Sequence, residues 1–194
     1  MNRIFIKMVC TVLLLASSLT TIAQVIPDHP IVGKSCPDFT LTDVNFFKQK
    51  IVSLKDFHGK WLVLDCWNRY CSNCISSMPR MDSIRKEFKN QIEVVYIGYT
   101  GNLHAKESDN KEIRILYERV QREYNLDLPM AFDSLLMDRF KIAATPYIII
   151  IDPNGIVRAI TTHIDRIELN KIIRGEKVFL KKAYRWQKGV GRIE

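Results

Sequence analysis

The chain has 194 residues, 47% of them hydrophobic, with 29 Lys and Arg against 21 Asp and Glu for a formal charge of +8. That apolar fraction excludes a disordered chain, and five cysteines are too few for a small scaffold held by disulfides. The basic residues are scattered with no aromatic-interleaved basic motif, which speaks against a nucleic-acid module.

In chain order, Met1 to Lys7 carries Arg3 and Lys7 without an acid, Met8 to Leu19 is apolar, and small residues lead to Thr21-Ile22-Ala23. This is the layout of a secretory signal peptide cut before Gln24. The apolar stretch is shorter than the ~18–20 residues of a spanning helix. A retained anchor requires it to run on through Ile26. Cys10 lies inside the apolar run, so there is no lipid-attachment pattern. Residues 24–194 then form one domain, with a core over about 32–174 and a basic tail over 175–194. Lys177, Lys181, Lys182, Arg185 and Lys188 mark that tail, which reads as solvated.

Within the domain, Cys36-Pro37-Asp38 is a turn into an extended Phe39-Thr40-Leu41, and Ile51 to Leu54 is a short apolar run. Trp61 to Trp67 and Ile92 to Tyr99 have the continuous apolar character of strands buried on both faces. Ser72 to Asn90 is predicted helical, with Ile75, Met78, Ile84 and Phe88 roughly on one side. A charge-laced helix over Ser108 to Tyr124, a short strand over Pro129 to Phe132 and a short helix over Leu135 to Phe140 follow. Tyr147 to Ile151 and Gly155 to Thr162 read as a hairpin around Asp152-Pro153-Asn154-Gly155. A closing helix spans Asp165 to Arg174, with Asp165 as its N-cap. Strands alternating with helices predict an α/β fold, a central sheet with helices on both faces.

The chemistry is predicted at Cys71-Ser72-Asn73-Cys74, where a strand gives way to a helix. A thiol near a helix N-terminus faces unpaired N–H groups and the positive end of the dipole, which favour the thiolate, the nucleophile of disulfide exchange. Cys71 is therefore the attacking thiol, and Cys74, one turn later, the resolving one. The competing use of such a pair is half a zinc site, which needs two further ligands. No second close pair is formed by Cys36, Cys66, His29, His58, His104 or His163, so neither a metal nor a cofactor is expected.

The segment Trp67-Asn68-Arg69-Tyr70-Cys71-Ser72-Asn73-Cys74, with Pro79 beyond it, resembles the active-site segment of thioredoxins. Ala144-Thr145-Pro146-Tyr147 resembles their cis-proline loop. Gly33-x-x-Cys36-Pro37-Asp38-Phe39 and Phe57-His58-Gly59-Lys60-Trp61 look like the TlpA/ResA-like branch of exported thioredoxins, which shares these features with the AhpC/TSA redoxins. The resemblance covers about Val32 to Arg174. It implies a thioredoxin fold with a central mixed β-sheet, an N-terminal β-hairpin and a central insertion, much of it within Lys106 to Met130.

The resemblance also implies site roles. Cys71 and Cys74 form the redox disulfide. Thr145 and Pro146 match the cis-proline position, which leaves the Thr145 backbone free to pair with an extended peptide. Asp65 matches the buried acid that exchanges a proton with Cys74, its acidity weakened by burial; the alternative is an acid turned to a solvated strand end. Trp67 and Tyr70 shield or contact a docked peptide, or else pack the loop. Arg69 either favours the thiolate or is solvated at the rim. Ser72-Asn73 departs from the Gly-Pro of thioredoxin, and Ser77 stands where some cytochrome-maturation reductases have a glutamate.

The expected partners are exported protein thiols and disulfides and a membrane or periplasmic electron donor, in a periplasmic setting. Two other functions are weighed. A peroxiredoxin-like peroxidase requires Pro-x-x-x-Thr/Ser-x-x-Cys, which Asn68-Arg69-Tyr70 does not supply. A redoxin-type metal carrier uses cysteines one residue further apart, with a distal histidine.

Overall fold

A computed structural model describes residues 28–101 and 108–193. The expected signal peptide over residues 1–23, His104 and the first residues of the expected insertion lie outside the described residues.

Thr40–Leu41 (β1) and Val52–Ser53 (β2) pair antiparallel and form the expected N-terminal hairpin. A 3₁₀ turn, Leu54–Phe57, follows; the Asp56 carboxylate accepts from the Ser53 amide and hydroxyl at 2.6 and 2.8 Å and fixes its start. The segment ahead of β1 docks by backbone, with the Gly33 amide bonded to Val157 O and the Cys36 amide to Gly155 O, both at 2.8 Å.

Trp61–Trp67 (β3), Ile92–Gly98 (β4), Met130–Phe132 (β5), Tyr147–Ile151 (β6) and Val157–Thr161 (β7) form one mixed sheet in the order β5-β4-β3-β6-β7. β3, β4 and β5 are mutually parallel, while β6 runs antiparallel to β3 and β7 antiparallel to β6. Central strands need apolar residues on both faces, and β3, β4 and β6 supply them with scarcely a polar break. Period-two alternation splits them cleanly. Val63, Trp67, Val94, Tyr96, Ile148 and Ile150 face one core, and Leu62, Leu64, Cys66, Val95, Ile97 and Ile149 face the other.

Ser72–Glu87 (α1) and Asn110–Tyr124 (α2) cover the first face through Cys74, Met78, Met81 and Ile84 and through Ile113, Tyr117 and Val120. Arg166–Ile173 (α4) adds Leu169 there. Its N-terminus carries a capping box, Asp165 accepting from the Glu168 amide at 2.8 Å and Glu168 from the Asp165 amide at 2.9 Å. Leu135–Arg139 (α3) and the N-terminal hairpin cover the second face with Leu136, Met137, Leu41 and Val52. This is the thioredoxin fold, with α2 as the central insertion.

The basic tail is solvated through its lysine side chains, but its backbone is docked and structured. Beyond α4 the chain returns across the end of the sheet and finishes in a hairpin of Arg185–Gln187 (β8) and Gly191–Ile193 (β9). Main-chain bonds hold it: Thr162 N to Lys181 O at 3.1 Å, Ala143 N to Tyr184 O at 3.1 Å and Trp186 N to Lys141 O at 2.7 Å. The buried Thr161 hydroxyl also donates to Lys181 O at 2.7 Å. Ala183 is buried between these anchors, whereas the lysine side chains point outward.

Candidate active site

β3 ends at Trp67 and α1 begins at Ser72, so the intervening loop delivers Cys71 to the helix as its N-cap. Cys71 and Cys74 are joined, with sulfurs 1.99 Å and Cα atoms 5.3 Å apart. The Cys71 Sγ accepts from the Cys74 amide at 3.2 Å, so the sulfur occupies the place where a capping oxygen ordinarily sits. No acidic residue lies in the first turn of α1 to oppose a negative sulfur. Cys71 is 8% exposed and Cys74 fully buried. Access thus distinguishes the two sulfurs as the sequence order does.

The Thr145–Pro146 bond is cis. The loop bearing it is tied to the cysteine loop by Asn68, whose Nδ2 donates to Thr145 Oγ1 at 2.8 Å. The same side chain accepts from the Tyr70 amide at 2.9 Å, and the Asn68 backbone carbonyl accepts from the Cys71 amide at 3.0 Å. Asn68 is a residue that sequence reasoning missed. Its local signal was an Asx turn two residues before Tyr70.

Asp65 lies between Val63 and Trp67 on the face of β3 that α1 covers, and only 1% of it is exposed. Its ladder neighbours are Tyr96 on β4 and Ile148 on β6. Neither carboxyl oxygen is held at hydrogen-bond distance. Burial therefore pushes its pKa up to about 7, with the Tyr96 hydroxyl and the Arg80 charge pulling the other way. The Tyr96 hydroxyl lies 3.1 Å from Ser77 Oγ, which also donates to Cys74 O at 2.8 Å. A line of hydroxyls thus runs from beside the acid to the surface of α1.

The reading of Trp67 as a peptide contact is corrected. Period two puts it on the inward face with Asp65, where none of it is exposed and its indole N–H points at Met130 Sδ, 3.3 Å away. Tyr70 is 47% exposed and lies under the Arg69 guanidinium, 4.5 Å from ring centre to Cζ. Arg69 also pairs with Asp109 at 2.9 Å, so its charge is shared with a buried carboxylate and does not act on the sulfur alone.

Cys36 and Cys66 are unbonded and buried in the opposite core. Burial pushes Cys36 up to about 12 and Cys66 well above the usual thiol range, leaving both protonated and unreactive. Among the described residues, His163, Asp165 and Glu168 also lie close together, but both carboxylates serve the α4 capping box.

Known proteins resemble this chain in sequence and in fold. The chain is 28% identical over 177 residues to the thiol-disulfide oxidoreductase ResA of Oceanobacillus iheyensis, covering 86% of each chain. To the thioredoxin-like protein YneN of Bacillus subtilis it is 27% identical over 129 residues, or 66% of this chain and 69% of that one. The crystal structure of the thioredoxin domain of thiol-disulfide oxidoreductase BVU-2223 from Bacteroides vulgatus superposes with a TM-score of 0.56 at 20% identity. That superposition covers 75% of this chain and 96% of that domain and supports the fold. The AhpC/TSA family description matches residues 32–160, two-thirds of the sequence, and the chain belongs to that family.

Proposed function

We propose that the protein is an exported thiol–disulfide oxidoreductase that reduces disulfides of other exported proteins through Cys71 and Cys74. The observation that carries this reading is a disulfide-bonded Cys71–Cys74 pair at the N-terminus of α1, beside a cis-proline loop. The ResA and YneN relatives support it by their names. The order of basic, apolar and small residues over residues 1–23 supports export. Among the described residues no helix is long and apolar enough to cross a membrane.

In the reduced protein the Cys71 thiolate attacks one sulfur of a substrate disulfide, and the other substrate sulfur leaves as a thiolate that takes up a proton. Cys74 then loses its proton to the Asp65 carboxylate and attacks Cys71 Sγ. The mixed disulfide breaks and the second substrate thiol is released. Two electrons pass to the substrate and the Cys71–Cys74 bond forms; a dithiol donor restores the pair by the reverse exchange. A carboxyl titrating near 7 suits this step, since it accepts a proton at neutral pH and returns it on re-reduction. Thr145, with its backbone beside the bent proline peptide, pairs with the extended substrate, and Pro146 and Tyr70 flank it.

Insulin reduction by the mature protein tests this reading. Cys71→Ser is expected to abolish turnover, and Cys74→Ser to accumulate a mixed disulfide. Turnover that survives Cys71→Ser, or peroxide consumption in place of disulfide reduction, overturns it.

A further inference from the structure

A cleft of about 340 Å³ opens beside the cis-proline, and its walls come from four separate segments. Asn73, Ser76 and Arg80 line it from α1, Pro146 from the start of β6, His163 from the end of β7, and Lys181 from the returning C-terminal segment. The last of these is deliberately placed. Its carbonyl accepts from both the buried Thr161 hydroxyl and the Thr162 amide, which pins the Lys181 backbone at the cleft's rim.

The charges around the cleft are unbalanced. Among the described residues, neither Arg80 nor Lys181 has a carboxylate within 4.0 Å. Arg80 Nη2 lies 3.5 Å from His163 Nδ1, at the limit of a hydrogen bond. Asp165 and Glu168 are engaged in capping α4, and Asp65, buried beside Ile148 on the same sheet face, feels the Arg80 charge without a hydrogen bond to it. Ser76 and Asn73 add polar side chains at the rim, and Ile148 forms the floor. A small polar pocket with two cations that no carboxylate touches, set between Pro146 and the turns of α1 that follow Asn73, matches a carboxylate group.

We infer that this cleft is a specificity subsite for an acidic side chain next to the attacked cysteine of the substrate, held by Arg80 and Lys181. The inference rests on the oxidoreductase reading and names the substrate class within it. It also gives the C-terminal segment a role, since Lys181 reaches the site only because that segment folds back. The net charge left after residues 1–23 are removed with Arg3 and Lys7, +6, would draw acidic partners in the same sense.

The test uses two disulfide-closed peptides that differ only in a Glu or Gln beside the attacked cysteine, reduced by the full mature protein. At low salt the Glu peptide is expected to react roughly five-fold faster, the size of a solvent-exposed ion pair. The ratio should fall toward one in Lys181→Gln with Arg80→Gln, and in salt of about 0.5 M. Lys181→Glu, which changes only an exposed side chain, should favour a Lys-bearing peptide instead. A ratio of one in the wild type, or one that the substitutions leave unchanged, overturns the subsite but leaves the oxidoreductase reading standing. Failure to reduce either peptide overturns both. If oxidised glutathione outpaces the Glu peptide with the same dependence on Lys181 and Arg80, the subsite serves a small anionic thiol and the protein-substrate assignment is overturned.

Discussion

The two faces of the central sheet each hold two of the four described cysteines, and they treat them in opposite ways. On the face covered by the N-terminal hairpin and α3, Cys36 and Cys66 are small core residues, unbonded and held protonated by burial. On the face covered by α1, Cys71 and Cys74 sit at a helix start and are joined to each other. Cys66 is only one residue from Asp65 in β3, yet the pleat sends them to opposite cores. Reactivity here follows from a helix N-terminus and a narrow opening to solvent, and sequence proximity to an acid does not confer it.

The sharpest way to break that contrast is by substitution. Cys71→Ser should remove disulfide reduction altogether, whereas Cys36→Ala and Cys66→Ala should leave the rate within about twofold in an insulin assay. Loss of turnover on replacing either buried cysteine would erase the distinction between the faces.

Next in size is Asp65→Asn, expected to slow resolution of the mixed disulfide by ~10²-fold at pH 7. In the wild type that step should quicken as pH rises through about 7, where the carboxyl ionises. Stability runs the other way. Because the folded pKa is raised above the ordinary value of 3.8, the acid's stability is fully present below about 4 and lost as pH rises through about 7. Asp65→Asn should therefore stabilise the protein by a few kcal/mol more at pH 8 than at pH 4, as read by denaturant unfolding. An equal effect at both pH values would mean that Asp65 ionises freely in the fold.

The reactive face was legible in the sequence because it depends on local order. The β3 run, the two-residue cysteine spacing and the helix after it all lie within Trp61–Glu87. Trp67 was legible too, since two-residue alternation from Val63 through Asp65 turns it inward, which decides between the peptide-contact and packing alternatives in favour of packing. Asn68 and the C-terminal segment were hidden for a different reason. Asn68 acquires its role from Thr145, 77 residues away. The returning segment docks mainly by main-chain bonds, with Leu180 and Ala183 as its sparse apolar contacts, so it has no hydrophobic period to read.

Asn68 carries a smaller expected effect. Asn68→Ala removes one hydrogen bond between the cysteine and proline loops, about 1 kcal/mol, and should lower kcat/KM roughly five-fold with little change in Tm. An unchanged kcat/KM would show that the two loops hold their places without it. Smallest is the packing cost of the inert face: Cys66→Ala should cost about 1 kcal/mol in unfolding free energy while leaving turnover intact.

The most direct test of the contrast between faces is the pH dependence of iodoacetamide alkylation in the folded, reduced protein, with each modified cysteine mapped by mass spectrometry. The expected result is label on Cys71 alone, with a midpoint below the ~8.5 of a free thiol. Label on Cys36 or Cys66, or a Cys71 midpoint at or above that of a free thiol, would contradict it.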